Sequence, residues 1–210
     1  MKRGEKMICN SLVMCTHDLH HIEVQNKDNK NRQNSKKKKN VDIYKQPLAP
    51  SPCGCAEMQK GCIGYCDKRT NPSCKEQTKI YTIDQGQQNP KKEVIQLKID
   101  GGVITNPEAS QIKKCDYALY FKEDKTMILI ELKGTAVKHA VEQLMSTLKQ
   151  AEFQDMWHQC NKIYGRIVCQ SSIPRIRNTE LFISAKKEFM ARGGNLRIEE
   201  QSFVEQYNEL

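Results

Sequence analysis

An α/β protein with a central mixed sheet of four to five strands flanked by helices is what this chain predicts over residues 92–210. Three observations carry that prediction. Two apolar runs, Cys115–Phe121 and Thr126–Lys133, are separated only by the polar stretch Lys122-Glu-Asp-Lys125, as in a hairpin. Past Gly134, apolar residues recur at Val137, Ala140, Val141, Leu144, Met145, Leu148 and Ala151, which is helical spacing. Lys162–Gln170 is then a run of β formers that reads as a buried strand.

The elements follow in order. Glu93–Asp100 makes a first strand, stopped by Gly101-Gly102. The hairpin supplies the second and third. With its turn centred between Glu123 and Asp124, residues whose numbers sum to 247 face each other, and Asp116 meets Glu131. Thr135 is placed to cap a helix over 136–152. After the fourth strand, Asn178-Thr179 opens a second helix through Leu181, Ile183, Ala185, Phe189 and Met190, which ends at Gly193-Gly194. Asn195–Ile198 forms a last short strand. No helix is legible ahead of the first strand.

Charges inside apolar strands are unfavourable unless something offsets them, and this hairpin holds three: Asp116, Glu131 and Lys133. Opposed residues in an antiparallel pair have Cβ atoms roughly 5 Å apart. Glu131 and Lys133, two apart, project from one face. All three converge on one patch, the arrangement needed to hold a divalent cation against a phosphate. The alternative is a partly exposed cross-strand ion pair, which stabilises little. That alternative predicts polar neighbours on the same face, whereas Met127 and Leu129 are apolar.

An acid on one strand followed by Glu-x-Lys on the next resembles the PD-(D/E)xK nuclease superfamily, which includes restriction endonucleases and Holliday-junction resolvase-like members. The matching residues are Asp116 and Glu131-Leu-Lys133, with Gly134 after them; Lys114-Cys115 stands where the family has a proline. The element order over about 92–200 is similar to that family's core. The resemblance implies a restriction endonuclease-like fold and metal-dependent hydrolysis of phosphodiester bonds, with DNA as the expected nucleic-acid partner. Asp116, Glu131 and the backbone carbonyl of Leu132 would hold one or two Mg²⁺, or Mn²⁺ in its place. Lys133 would position or deprotonate water and stabilise charge on the phosphate. Arg175, Arg177, Lys138 and His139 are candidate phosphate contacts, each with a solvated surface as the plainer account. Gln143 is similar to a helical glutamine of some members, with an exposed polar residue as the simpler expectation. A homodimer is one assembly compatible with the pattern. Two readings from other classes stay open: a nucleic-acid-binding or ligand-sensing module of the same fold, and a zinc-containing interaction protein of a nuclease complex.

Composition bounds the rest. Of the net +9 carried by 210 residues, residues 1–51 supply +6, with eleven Lys/Arg against five Asp/Glu. Asn26–Asn40, with Lys36–Lys39, lacks large apolar residues and reads as disordered, either gripping nucleic-acid backbone or simply solvated. No stretch has the apolar length of a secretory signal or a membrane span, which predicts a cytoplasmic protein. Its ten cysteines are then thiols or metal ligands. Five of them, Cys53, Cys55, Cys62, Cys66 and Cys74, crowd a lead-in over 52–91 where Zn²⁺ or an iron–sulfur cluster could sit, or no metal at all. Cys9, Cys15, His17, His20 and His21 lack ligand spacing. Asp100 and Glu108 are spare acids. Phe153, Trp157 and Tyr164 read as core, and Cys115, Cys160 and Cys169 as small buried hydrophobes.

Overall fold

The computed structural model describes residues 63–87, 89–102, 113–150, 154–170 and 175–210. The chain divides into two units, Met1–Lys60 and Gly61–Leu210, and every described residue belongs to the second. The strands are β1 Ile63–Asp67, β2 Ser73–Glu76, β3 Lys79–Asp84, β4 Val94–Lys98, β5 Tyr117–Phe121, β6 Thr126–Leu132, β7 Lys162–Cys169, β8 Leu196–Glu200 and β9 Ser202–Gln206. The helices are α1 Val137–Lys149, α2 Gln154–His158 and α3 Glu180–Ala191.

The architecture is α/β with two mixed sheets. The larger has six strands in the order β1-β4-β5-β6-β7-β8, and the smaller has three, β2-β3-β9. In the larger sheet β1, β4, β5 and β6 are successively antiparallel, while β6, β7 and β8 are mutually parallel. The expectation of one sheet of four to five strands is therefore corrected upward. The extra strands are β1, β2 and β3, from residues 63–84 that the sequence places in a cysteine-rich lead-in ahead of residue 92, and β9 near the C-terminal end. β1 pairs with β4 along one edge, and β3 pairs in parallel with β9. Short, weakly patterned sequences hide β1 and β2, Ile-Gly-Tyr-Cys-Asp and Ser-Cys-Lys-Glu, because pairing partners supply what local propensity does not, whereas β3, Lys-Ile-Tyr-Thr-Ile-Asp, is a run of β formers.

The small sheet covers one face of the large one. Leu119, Phe121, Ile128, Ile130, Leu132 and Val168 from the large sheet share a core with Tyr81, Ile83 and Phe203. Strand alternation sends Met127, Leu129 and Glu131 to the opposite face, where α1 and α3 pack. Gly165, level with Leu129 in the β6–β7 register, lies under the Phe189 ring of α3.

The helices begin and end by different means. Thr179 caps α3, its side chain accepting from the Phe182 N–H, as its sequence position predicts. The same helix closes with Gly193 at φ +73, the Gly194 N–H reaching Phe189 O at 3.0 Å and the Gly193 N–H reaching Met190 O at 3.0 Å. Thr135 does not cap α1; Ala136 occupies the N-cap position and no side chain bonds the first turn. A Cβ on Gly194 would stand 2.0 Å from Ile163 O, a backbone atom that cannot swing aside. Gly194→Ala is expected to cost about 1–3 kcal/mol or more, read as a lower melting temperature.

Candidate active site

All five β5–β6 register pairs, from Tyr117–Ile130 to Phe121–Thr126, have numbers summing to 247. One residue further, Asp116 stands across from Glu131. Its carboxylate Oδ2 accepts the Leu132 N–H at 2.8 Å, and its carbonyl accepts the Ile99 N–H at 2.9 Å. Asp116 is thus held at the mouth of the hairpin between β4 and β6.

Glu131 is the penultimate residue of a strand buried along its whole length, and its own side chain is 0% exposed. Both carboxylate oxygens are buried without a hydrogen-bond partner. The nearest cation is Lys133, its Nζ 3.4 Å from Glu131 Oε1 and its side chain 30% exposed. An ion pair alone would leave most of the lone pairs of that carboxylate empty, which is costly in a dry interior. Burial, reinforced by the Asp116 charge and opposed by Lys133, pushes the Glu131 carboxyl up to about 8. Burial likewise pushes Asp116 up to about 6, with Glu76 and Asp100 adding to it and the Leu132 N–H working against it.

These shifts have a sign. The folded protein keeps a proton on Glu131 that the unfolded chain releases above pH 4.5. Without metal, this contribution to stability is full below that pH and is lost as pH rises toward 8. Melting of metal-free protein should show that loss, and a divalent cation should reverse it by replacing the proton.

The structure brings Asp116, Glu131 and Lys133 together. Of the other candidates, Asp100 is brought beside Asp116, its N–H reaching Asp116 O at 3.4 Å. Lys138 and His139 are exposed in the first turn of α1, and His139 Nδ1 lies 3.5 Å from Glu142, which also takes Lys113 Nζ at 2.6 Å. Arg177 is exposed and donates to Ile198 O of β8 at 3.2 Å, two strands from β6. The Arg175 side chain and Glu108 lie outside the described residues, as do Phe153, Cys53, Cys55, Cys62 and the early Cys/His group. Cys66 and Cys74 sit on strands of different sheets, and burial pushes each thiol up to about 12, so a metal there would have to displace tightly held protons. Asp100 reaches Lys114 Nζ at 3.3 Å. Trp157, Tyr164, Cys115 and Cys169 are buried as expected. Gln143 is buried as well, which corrects the expectation of an exposed polar residue.

Sequence reasoning missed two groups. Glu76 of β2 accepts the Tyr117 hydroxyl at 2.7 Å and adds negative charge beside Asp116. Arg166 of β7 is fully buried and bound by Glu205 of β9, Nε to Oε2 at 2.6 Å and Nη2 to Oε1 at 2.8 Å. A charge within Lys162–Gln170 was the available signal for Arg166.

Among the described residues no group of three or more His, Cys, Asp and Glu forms a ready-made metal shell. No helix there is long and apolar enough to cross a membrane. Compared with protein-family models, curated proteins and solved structures, the chain matches none. The class that stands on the coordinates is an α/β protein with a six-stranded and a three-stranded mixed sheet.

Proposed function

We propose that this chain is a metal-dependent phosphodiesterase of restriction endonuclease-like, PD-(D/E)xK type, hydrolysing nucleic acid and DNA in the first instance. The observation that carries this reading is Glu131, a wholly buried carboxylate with no strong hydrogen bond to either oxygen, facing Asp116 and paired with Lys133 at 3.4 Å. Two carboxyls that burial and nearby negative charge hold above their usual range suit a divalent cation, which would neutralise both at once.

Oxygen donors of this kind fit Mg²⁺ or Mn²⁺. Such a cation, when bound, supplies charge neutralisation at a scissile phosphate and acidifies water. Glu131, 0% exposed, would be the buried carboxylate ligand. Asp116, whose Oδ2 accepts the Leu132 N–H at 2.8 Å, would be the second carboxylate ligand. Lys133, its side chain 30% exposed, would orient water with its ammonium and stabilise negative charge on the phosphate. The Leu132 carbonyl belongs to the same proposal.

Incubation with linear, supercoiled and branched DNA, with and without Mg²⁺ or Mn²⁺, tests the reading. Cleavage that requires the cation is the expected result. Binding without cleavage across all substrates and both metals would favour a nucleic-acid-binding module of the same architecture.

A further inference from the structure

Asp116 precedes β5, so the sheet ladder alone does not fix it, yet its placement decides whether two carboxylates converge. We propose that Gln143 and Thr147 of α1 are positioning residues that hold Asp116 in place by gripping the backbone of Lys114 and Cys115. The proposal rests on the reading of Asp116 as a metal ligand.

The contacts run residue by residue along the lead-in. Gln143 Nε2 donates to Lys114 O at 2.9 Å, and Thr147 Oγ1 accepts the Cys115 N–H at 2.8 Å. Thr147 also donates to Gln143 O at 2.9 Å, which turns its lone pairs toward Cys115. The two side chains lie one turn apart on one helix face, and both are buried. The next residue is Asp116, held by β4 through its carbonyl and by β6 through its carboxylate.

Both choices are locally unfavourable. Gln143 Oε1 is buried without a hydrogen-bond partner, so an apolar side chain would remove a desolvation cost. A threonine hydroxyl bonding back to the preceding turn slightly weakens a helix interior. Stability alone does not account for either; the bonds to 114 and 115 do. The same helix follows Lys133 after only Gly134–Ala136. One rigid element therefore fixes both halves of the site, Glu131 and Lys133 through the chain and Asp116 through side-chain bonds.

The test uses the full chain and reads the Leu132 amide, which is protected by Asp116, against the Ile128 amide in the middle of β6. Thr147→Val keeps the side-chain shape and removes the acceptor. Hydrogen exchange at Leu132 should accelerate at least tenfold while Ile128 stays at the wild-type rate. Thr147→Ser, which restores the oxygen, should return Leu132 to the wild-type rate. In DNA cleavage, kcat should fall at least tenfold with KM unchanged. Gln143→Met gives an independent second variant with the same expected pattern. Unchanged exchange at Leu132, or acceleration shared equally by Ile128, would overturn the proposal. If the exchange pattern holds but wild-type protein cuts no nucleic acid, the positioning role stands and the nuclease reading falls.

Discussion

Replacing Asp116 or Glu131 by Ala is expected to reduce DNA cleavage to background. A catalytic cation contributes several kcal/mol at the transition state, and each 1.4 kcal/mol is tenfold in rate, so the loss should reach ~1000-fold or more. DNA binding should survive in both, and strengthen in Asp116→Ala, where a negative charge next to the phosphate disappears; metal-free Glu131 already carries a proton near neutral pH. Lys133→Ala should lose ~100-fold, the scale of a positioned acid–base group, while divalent-metal binding persists. Lys133→Arg should rescue poorly, since the guanidinium is broader and does not give up its proton. Alanine variants that cut at the wild-type rate would show that the chemistry lies elsewhere. Rates measured beside binding isotherms for the same preparations make that distinction.

Glu205→Ala carries the largest expected effect on folding. Arg166 is 0% exposed and Glu205 1%, and the pair joins β7 of the large sheet to β9 of the small one. Arg166 spends its remaining donors on Gly165 O and on the backbone and side chain of Asn195. Glu205 also accepts from the Tyr81 hydroxyl at 2.7 Å and from Arg197 Nη1 at 3.1 Å. Removing the carboxylate leaves a buried guanidinium uncompensated, which costs about 3–5 kcal/mol. Replacing both partners by apolar residues, Arg166→Met with Glu205→Leu, should recover most of that loss. Denaturant midpoints of the single and double variants check it. A Glu205→Ala protein that unfolds at the wild-type midpoint would mean that the pair is dispensable.

The hairpin was legible because its rules are local. A short polar turn between two apolar runs fixes the register, so the opposition of Asp116 and Glu131 could be read before any coordinates. α1, β7, α3 and β8 fall close to their expected bounds for the same reason: periodicity and end signals operate within a few residues. The small sheet was not legible. β2 reads Ser-Cys-Lys-Glu, with no apolar alternation, and its place depends on β3 and on β9, over a hundred residues away. The Arg166–Glu205 pair is hidden in the same way. The rule that flagged Glu131, a charge within an apolar run, applies equally to Arg166, but its partner lies 39 residues on and across two sheets. Gln143 was read as exposed because a polar residue beside a helical stripe usually faces water. Here the lead-in to Asp116 packs over it and takes its amide.

Metal-dependent cleavage by this chain requires Glu131 and Asp116 to hold a divalent cation. Titrating Mn²⁺ into DNA-free protein at pH 8, for wild type and Glu131→Gln in parallel, measures this most directly. Wild-type protein should bind Mn²⁺ with release of protons. The variant should bind at least tenfold more weakly, and without metal it should melt higher than wild type, because its buried side chain no longer has to ionise. Equal Mn²⁺ affinity in the two proteins, with no difference in metal-free melting, would contradict the account.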